Sequence, residues 1–132
     1  MANYYATARS NYFKVKDAEA FKKWVDSVPG LGRWEKDGTF ALFGDNEDSN
    51  GWPGVYMDED GHEVVFNGID VADFLTEDSV AIFMEAGAEK MRYITGHAVA
   101  VNHEGDVVYV NISEIYELAK EKFGITPTLA EY

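Results

Sequence analysis

The chain has no cysteine and only three prolines, and between Asp37 and Glu89 it has neither lysine nor arginine. Without thiols there is no disulfide framework, thiolate nucleophile or cysteine-bound metal, a composition that fits a reducing compartment. No stretch approaches the roughly 18 apolar residues of a membrane span, and the opening MANYYATARSNYF lacks the apolar run of a secretory signal. A cytoplasmic protein with no membrane partner is therefore expected. Also missing are GxSxG and HExxH patterns and any phosphate-cradling glycine loop, so no nucleophile, zinc or nucleotide signature supports catalysis. The expectation is a non-enzymatic protein without a cofactor.

What is present is a folding composition carrying a segregated charge. Of 132 residues, 46% are hydrophobic and 14% aromatic, enough for one domain with a real core despite a net charge of −13. Fourteen acids lie in the base-free stretch from Asp37 to Glu89. Seven bases and four acids precede it, and four bases and six acids follow. Spread along a face of about 35 Å on a domain this size, fourteen carboxylates give one charge per about 2.5 Å, within a factor of two of the one per about 1.7 Å on duplex DNA. A solvated, solubility-promoting surface explains the same residues without a partner. Self-repulsion of this kind is tolerated most simply when the field meets a cationic partner, and it excludes direct binding to nucleic acid or anionic lipid, which needs clustered Lys and Arg.

Strand alternation runs from Tyr4 to Lys16. Asp17 reads as the N-cap of a helix whose Phe21, Trp24, Val25 and Val28 form a buried stripe ended by Pro29-Gly30. Gly32 to Glu35 and Thr39 to Phe43 flank Lys36-Asp37-Gly38 as a hairpin, and a polar loop follows from Gly44 to Gly54. A second hairpin joins Val55-Tyr56-Met57 to Glu63-Val64-Val65-Phe66 through an acidic turn, and Ile69 to Leu75 is a short helical segment. Strands are predicted at Val80 to Glu85, Arg92 to Val101 and Val107 to Val110, with Tyr93, Thr95, His97, Val99 and Val101 sharing a face. The closing helix starts near Asn111, with Glu114 reaching back as a capping box. It is expected to turn Ile112, Ile115, Ala119 and Phe123 inward before Gly124 stops it. Residues 125 to 132 read as a tail. The expected fold is α+β, a single domain over residues 1 to 132 with a mostly antiparallel sheet, two main helices and a short third.

Four groups of residues are candidates for function. In the first, Asp45, Glu47, Asp48, Asp58, Glu59, Asp60, Asp70 and Asp73 flank turns and helix starts and are expected to point outward, while Glu85 fits either side of its strand. The second is Asn46-x-Asp48-x-Asn50-Gly51, which matches the first half of a calcium loop but puts Met57 where the bidentate Glu belongs. The third is histidine: His62, His97 and His103 have no spacing that makes them converge on a zinc ion, and a hydrogen-bonded core role suits His97. The fourth is Trp52, set in Gly51-Trp52-Pro53-Gly54 within a polar loop. It is either an interface anchor beside the acids or a ring folded back over the sheet. Carboxylate pairs such as Asp58 and Asp60 suit glycoside hydrolysis only with a sugar cleft, of which the sequence gives no sign.

The segments Ala8-Arg9-Ser10-Asn11-Tyr12-Phe13-Lys14-Val15-Lys16-Asp17 and Met84-Glu85-Ala86-Gly87-Ala88-Glu89-Lys90-Met91-Arg92-Tyr93, with the closing helix, resemble small acidic proteins of phages, plasmids and integrated mobile elements. That resemblance implies a context in which anti-restriction and anti-CRISPR inhibitors occur, several of them DNA mimics; it assigns no residue a role. Together with the charge, it leads to the expectation of an anti-defence interaction module. Asp45, Glu47, Asp48, Asp58, Glu59, Asp60, Asp70 and Asp73 would stand in for phosphates with Trp52 at their edge. The partner would be a basic nucleic-acid-binding host protein, such as a defence nuclease or effector. The alternative is a small-ligand or divalent-cation module built on residues 44 to 54.

Overall fold

The computed structural model describes residues 4–45, 51–89 and 93–130. Strand β1 (Tyr4–Ser10) leads through isolated bridges at Phe13 and Val15 to helix α1 (Ala18–Asp26). The hairpin of β2 (Leu31–Lys36) and β3 (Thr39–Gly44) follows, then the short hairpin of β4 (Val55–Met57) and β5 (Glu63–Val65) and a 3-10 helix over Gly68–Phe74. Next come β6 (Ala81–Glu89), β7 (Tyr93–Val101) and β8 (Val107–Asn111), a 3-10 turn at Ile112–Glu114 and helix α2 (Ile115–Phe123). Six strands form one antiparallel sheet in the order β2-β3-β1-β6-β7-β8, and β4-β5 stands apart as a two-stranded unit. Mixed helix and strand with a mostly antiparallel sheet was expected; strands dominate.

Local chemistry explains most of these elements. Asp17 Oδ1 accepts the Ala20 amide at 3.1 Å and starts α1, so that Phe21, Val25 and Val28 come to lie buried on the sheet. The β2-β3 turn places Asp37 and Gly38 at φ 51° and 80°, the two positive values of the mirror-image turn that matches strand twist. In the 102–106 turn, Asn102 Oδ1 accepts the amides of Glu104 and Asp106.

Packing is one-sided. On the inner face of the sheet Phe13, Phe40, Leu42, Phe83 and Val101 are buried beneath α1 and the 3-10 helix, which contributes Val71, Ala72 and Leu75. Phe21 sits at the centre, with ring centroids of Phe13, Phe40 and Phe74 at 5.7, 5.2 and 5.5 Å. The opposite, outer face carries Trp34 stacked on Phe43 at 4.3 Å with the Arg9 guanidinium over the indole. Toward β8 that face has no covering layer among the described residues.

The closing helix corrects one expectation. Gly124 ends it in the left-handed conformation, as read from the sequence, but Asn111 caps the 3-10 turn by accepting the Ser113 amide, and α2 itself has no side-chain cap. No residue of α2 is buried; Ile112, Ile115 and Phe123 are exposed rather than turned inward. The cause is placement. α2 follows the last strand at the sheet edge, beyond the layer that covers the inner face, so its apolar stripe has no core beneath it.

Replacing Phe21 with Ala removes the ring on which three others converge and should cost about 3–5 kcal/mol of stability. A urea unfolding midpoint checks this, and a loss below about 1 kcal/mol would mean the cluster relaxes around the gap.

Candidate functional site

The acid-bearing elements are fastened to the core by rings. Phe66, at the end of β5, lies between two indoles, with centroids 6.4 Å from Trp24 and 5.7 Å from Trp52 and interplanar angles of 23° and 26°. Phe74, at the end of the 3-10 helix, packs on Trp24 at 5.4 Å. Thus the β4-β5 hairpin and the 3-10 helix form one layer over α1 and the sheet, and the chain between Val55 and Phe74 places its carboxylates on the outside of that layer.

Five of the expected acids are brought together there. Asp58, Glu59 and Asp60 line a cleft with Tyr56 and Trp24, and the Tyr56 phenol is pushed above its usual pKa by burial and by the charges of Asp70 and Asp58. Asp70 in turn is raised by burial, opposed by a backbone hydrogen bond at Asn67, and raised again by Asp73. Among the described residues no Lys or Arg lies within ion-pair distance of Asp58, Glu59, Asp60, Asp70 or Asp73. Glu59 also borders a second cleft that holds Lys22, Lys23 and Arg33, so the acidic ground ends at α1. Within the group itself His62, 3.6 Å from Asp58, is the one potential cation in ion-pair reach among the described residues.

Other members of the block go elsewhere. Asp45 ends β3 with its amide donated to the Gly30 carbonyl, at the junction of α1 and β2 and apart from the hairpin. Asp78 is taken by Lys14 at 3.1 Å; its carboxyl is held below the usual range by the Thr76 hydroxyl and then by Lys14. Glu85 faces inward with its side chain 12% exposed, accepts the Trp52 amide at 2.7 Å and lies 3.8 Å from His97 Nε2. Glu47 and Asp48, together with Asn46 and Asn50 of the calcium-like loop, lie outside the described residues.

Trp52 takes the second of its two expected positions. Its ring stacks on Phe66 and meets Phe83 edge-on at 5.4 Å, covering the sheet instead of protruding. It still borders the surface, as one wall of a groove of about 360 Å³ shared with Phe66, Glu85, His97 and Tyr109. His97 stacks on Tyr109 at 6.2 Å. Sequence alternation placed His97 on this face. The pairing of Glu85 with His97 is set by the β6-β7 register and was not readable from either strand alone.

Comparison with protein families, curated proteins and solved structures finds no match to this chain. Function must be read from its own surfaces. Asp58, Asp60 and His62 bring three potential metal ligands within 4.8 Å of one another. However, Asp58 Oδ1 already accepts the amides of Asp60 and His62 at 3.0 and 2.8 Å, the hydrogen bonding of an Asx turn closing the hairpin. Turn formation accounts for the cluster without an ion. No helix among the described residues is long and apolar enough to cross a membrane.

Because the folded pKa of Asp70 lies above its unfolded value, its charge at neutral pH opposes folding, and the folded state takes up the proton first as pH falls. Asp70→Asn should therefore raise the melting temperature at pH 7. That gain should shrink as pH falls through the raised pKa and vanish below the unfolded value of about 3.9. Melting curves across this range check it; a lower melting temperature at pH 7 contradicts the placement of Asp70 among like charges.

Proposed function

We propose that this protein is a non-enzymatic interaction module whose acidic layer occupies a basic, nucleic-acid-binding surface on another protein and so competes with nucleic acid. The observation that carries the reading is the group Asp58, Glu59, Asp60, Asp70 and Asp73, held on a ring-packed layer with no Lys or Arg in ion-pair reach among the described residues. Carboxylates fixed in this way present charge without first having to be ordered, which lowers the cost of association. Asp45, Glu47 and Asp48 extend the surface if the 44–54 loop reaches the partner, and Trp52 supplies an apolar wall at its edge. The partner class is a basic nucleic-acid-binding host protein, with a defence-system nuclease or effector as the specific proposal, in keeping with the resemblance to acidic proteins of mobile elements.

Electrostatic recognition has a kinetic signature. Association with such a partner should slow steeply as salt rises, because steering depends on the unscreened field. Replacing Asp58, Glu59 and Asp60 together by Asn, Gln and Asn should slow association roughly tenfold and change dissociation far less. The experiment captures partners from a cell lysate, tests whether duplex DNA displaces them, and measures both rate constants at two salt concentrations. Failure to capture any DNA-displaceable basic protein, or unchanged association of the triple variant, overturns the proposal. Calorimetric titration with calcium tests the alternative module on residues 44 to 54, for which saturable binding is the required result.

A further inference from the structure

The outer face of the sheet on the β8 side and the exposed stripe of α2 are two apolar surfaces of one chain, each without a cover among the described residues. In the β6-β7-β8 register, Ile82, Met84, Val108 and Val110 all point away from the core, and none of the neighbouring outward positions Ala86, Ala98 and Ala100 is charged. A groove of about 330 Å³ on this face is lined by Met84, Val110 and Ile112, which rests against Gly96, and is bordered on the β1 side by Thr7 and Arg9. On α2, Ile115, Leu118, Ala119 and Phe123 fall on one side at helical spacing, and Ile115, Leu118 and Phe123 are each more than half exposed. An antiparallel sheet with one face in water normally turns polar residues to it. Beyond Thr7 and Arg9 of β1, the outward positions of β6, β7 and β8 do not.

We propose that two copies of this chain associate symmetrically through this surface, the outer faces of β6, β7 and β8 and the α2 stripes forming a shared apolar core. The area is adequate. Leaving out Val107 and Tyr109, which point to the inner face, nine large apolar side chains from Ile82 to Phe123 are 36% to 68% exposed. At on the order of 100 Å² apiece they total on the order of 900 Å², above the ~300–600 Å² of a monomer's largest patch and close to the ~800 Å² per partner of a stable complex.

Charge selects the second copy as the occupant. The net charge of −13 would drive identical chains apart, but its acidic concentration lies on the inner-face layer, whereas α2 carries Glu117 in its first turn and Lys120, Glu121 and Lys122, a net positive group, in its last. A two-fold axis that runs two α2 helices antiparallel sets the acidic turn of each against the basic turn of the other, and it turns the two acidic layers outward to opposite sides.

The sheet edges agree. β2 guards its edge with Arg33, Glu35 and Lys36, while β8 presents Val107, Val108, Tyr109 and Val110, all exposed, with no charge and no proline. Natural edges are blunted by such residues when they must remain free; of the β8 residues, Val108 and Val110 belong to the outer surface that the second copy would cover. The inference is independent of the proposed function, since it uses the opposite face.

Sedimentation equilibrium of the full chain at micromolar concentration should give twice the 14.8 kDa chain mass. Two variants on separate elements, Val110→Lys on the sheet and Leu118→Glu on α2, should each weaken dimerisation at least tenfold. Both positions are more than half exposed, so circular dichroism should show the fold retained. Val65→Glu, on the β5 hairpin, should leave the dimer unchanged. A monomer at tens of micromolar overturns the proposal, and so does a dimer that either variant leaves as tight as the parent's, because the interface would then lie elsewhere.

Discussion

Phe66 stacked between Trp24 and Trp52 is the contact on which the arrangement of the molecule depends. Two-stranded hairpins are marginal in water by themselves, and β4-β5 has no ladder to the main sheet. Its attachment comes from this three-ring stack, and Phe74 brings the 3-10 helix onto the same indole of Trp24. This packing brings the turn at Asp58 to Asp60 and the 3-10 helix with Asp70 and Asp73 together around Tyr56. Burial first, and then the neighbouring carboxylates, raise the pKa values of Tyr56 and Asp70 in the folded state.

This attachment divides the protein into two unlike faces. One bears carboxylates on a covering layer; the other is sheet without a covering layer among the described residues, apolar toward β8. Each face would be a liability in an isolated monomer, the first through self-repulsion and the second through exposed apolar area. Both are accounted for if the acidic face meets a cationic protein and the apolar face meets its own copy. A symmetric pair would then offer two acidic surfaces on opposite sides, suited to a target that is itself repeated.

Local elements were legible in the sequence because short-range chemistry determines them. Asp17 as an N-cap, Lys36-Asp37-Gly38 as a hairpin turn and Gly124 as a helix stop each depend on a few adjacent residues. The alternation of β7 likewise gave the inner face of that strand. Strand order was not legible, since the placement of β1 between β3 and β6 follows from packing between distant segments. The closing helix shows where periodicity stops being informative: Ile115, Ala119 and Phe123 form a stripe, but spacing cannot say whether the same chain supplies something for it to cover. Trp52 and Glu85 illustrate the reverse. A ring in a polar loop and an acid in an acidic block were both drawn toward the core by partners distant in sequence, Phe83 for the ring and the Trp52 amide for the carboxylate.

The central claim is that the acidic layer is rigid and unneutralised. Thermal melting as sodium chloride is raised from low to physiological concentration tests it directly, because the screening length falls from about 30 Å at 0.01 M to about 8 Å at 0.15 M. Carboxylates held close together with no Lys or Arg in ion-pair reach predict a melting temperature that climbs by a few degrees over that range. A melting temperature that stays flat or falls would mean that the charges are dispersed or already paired, and the account of the acidic face would be wrong.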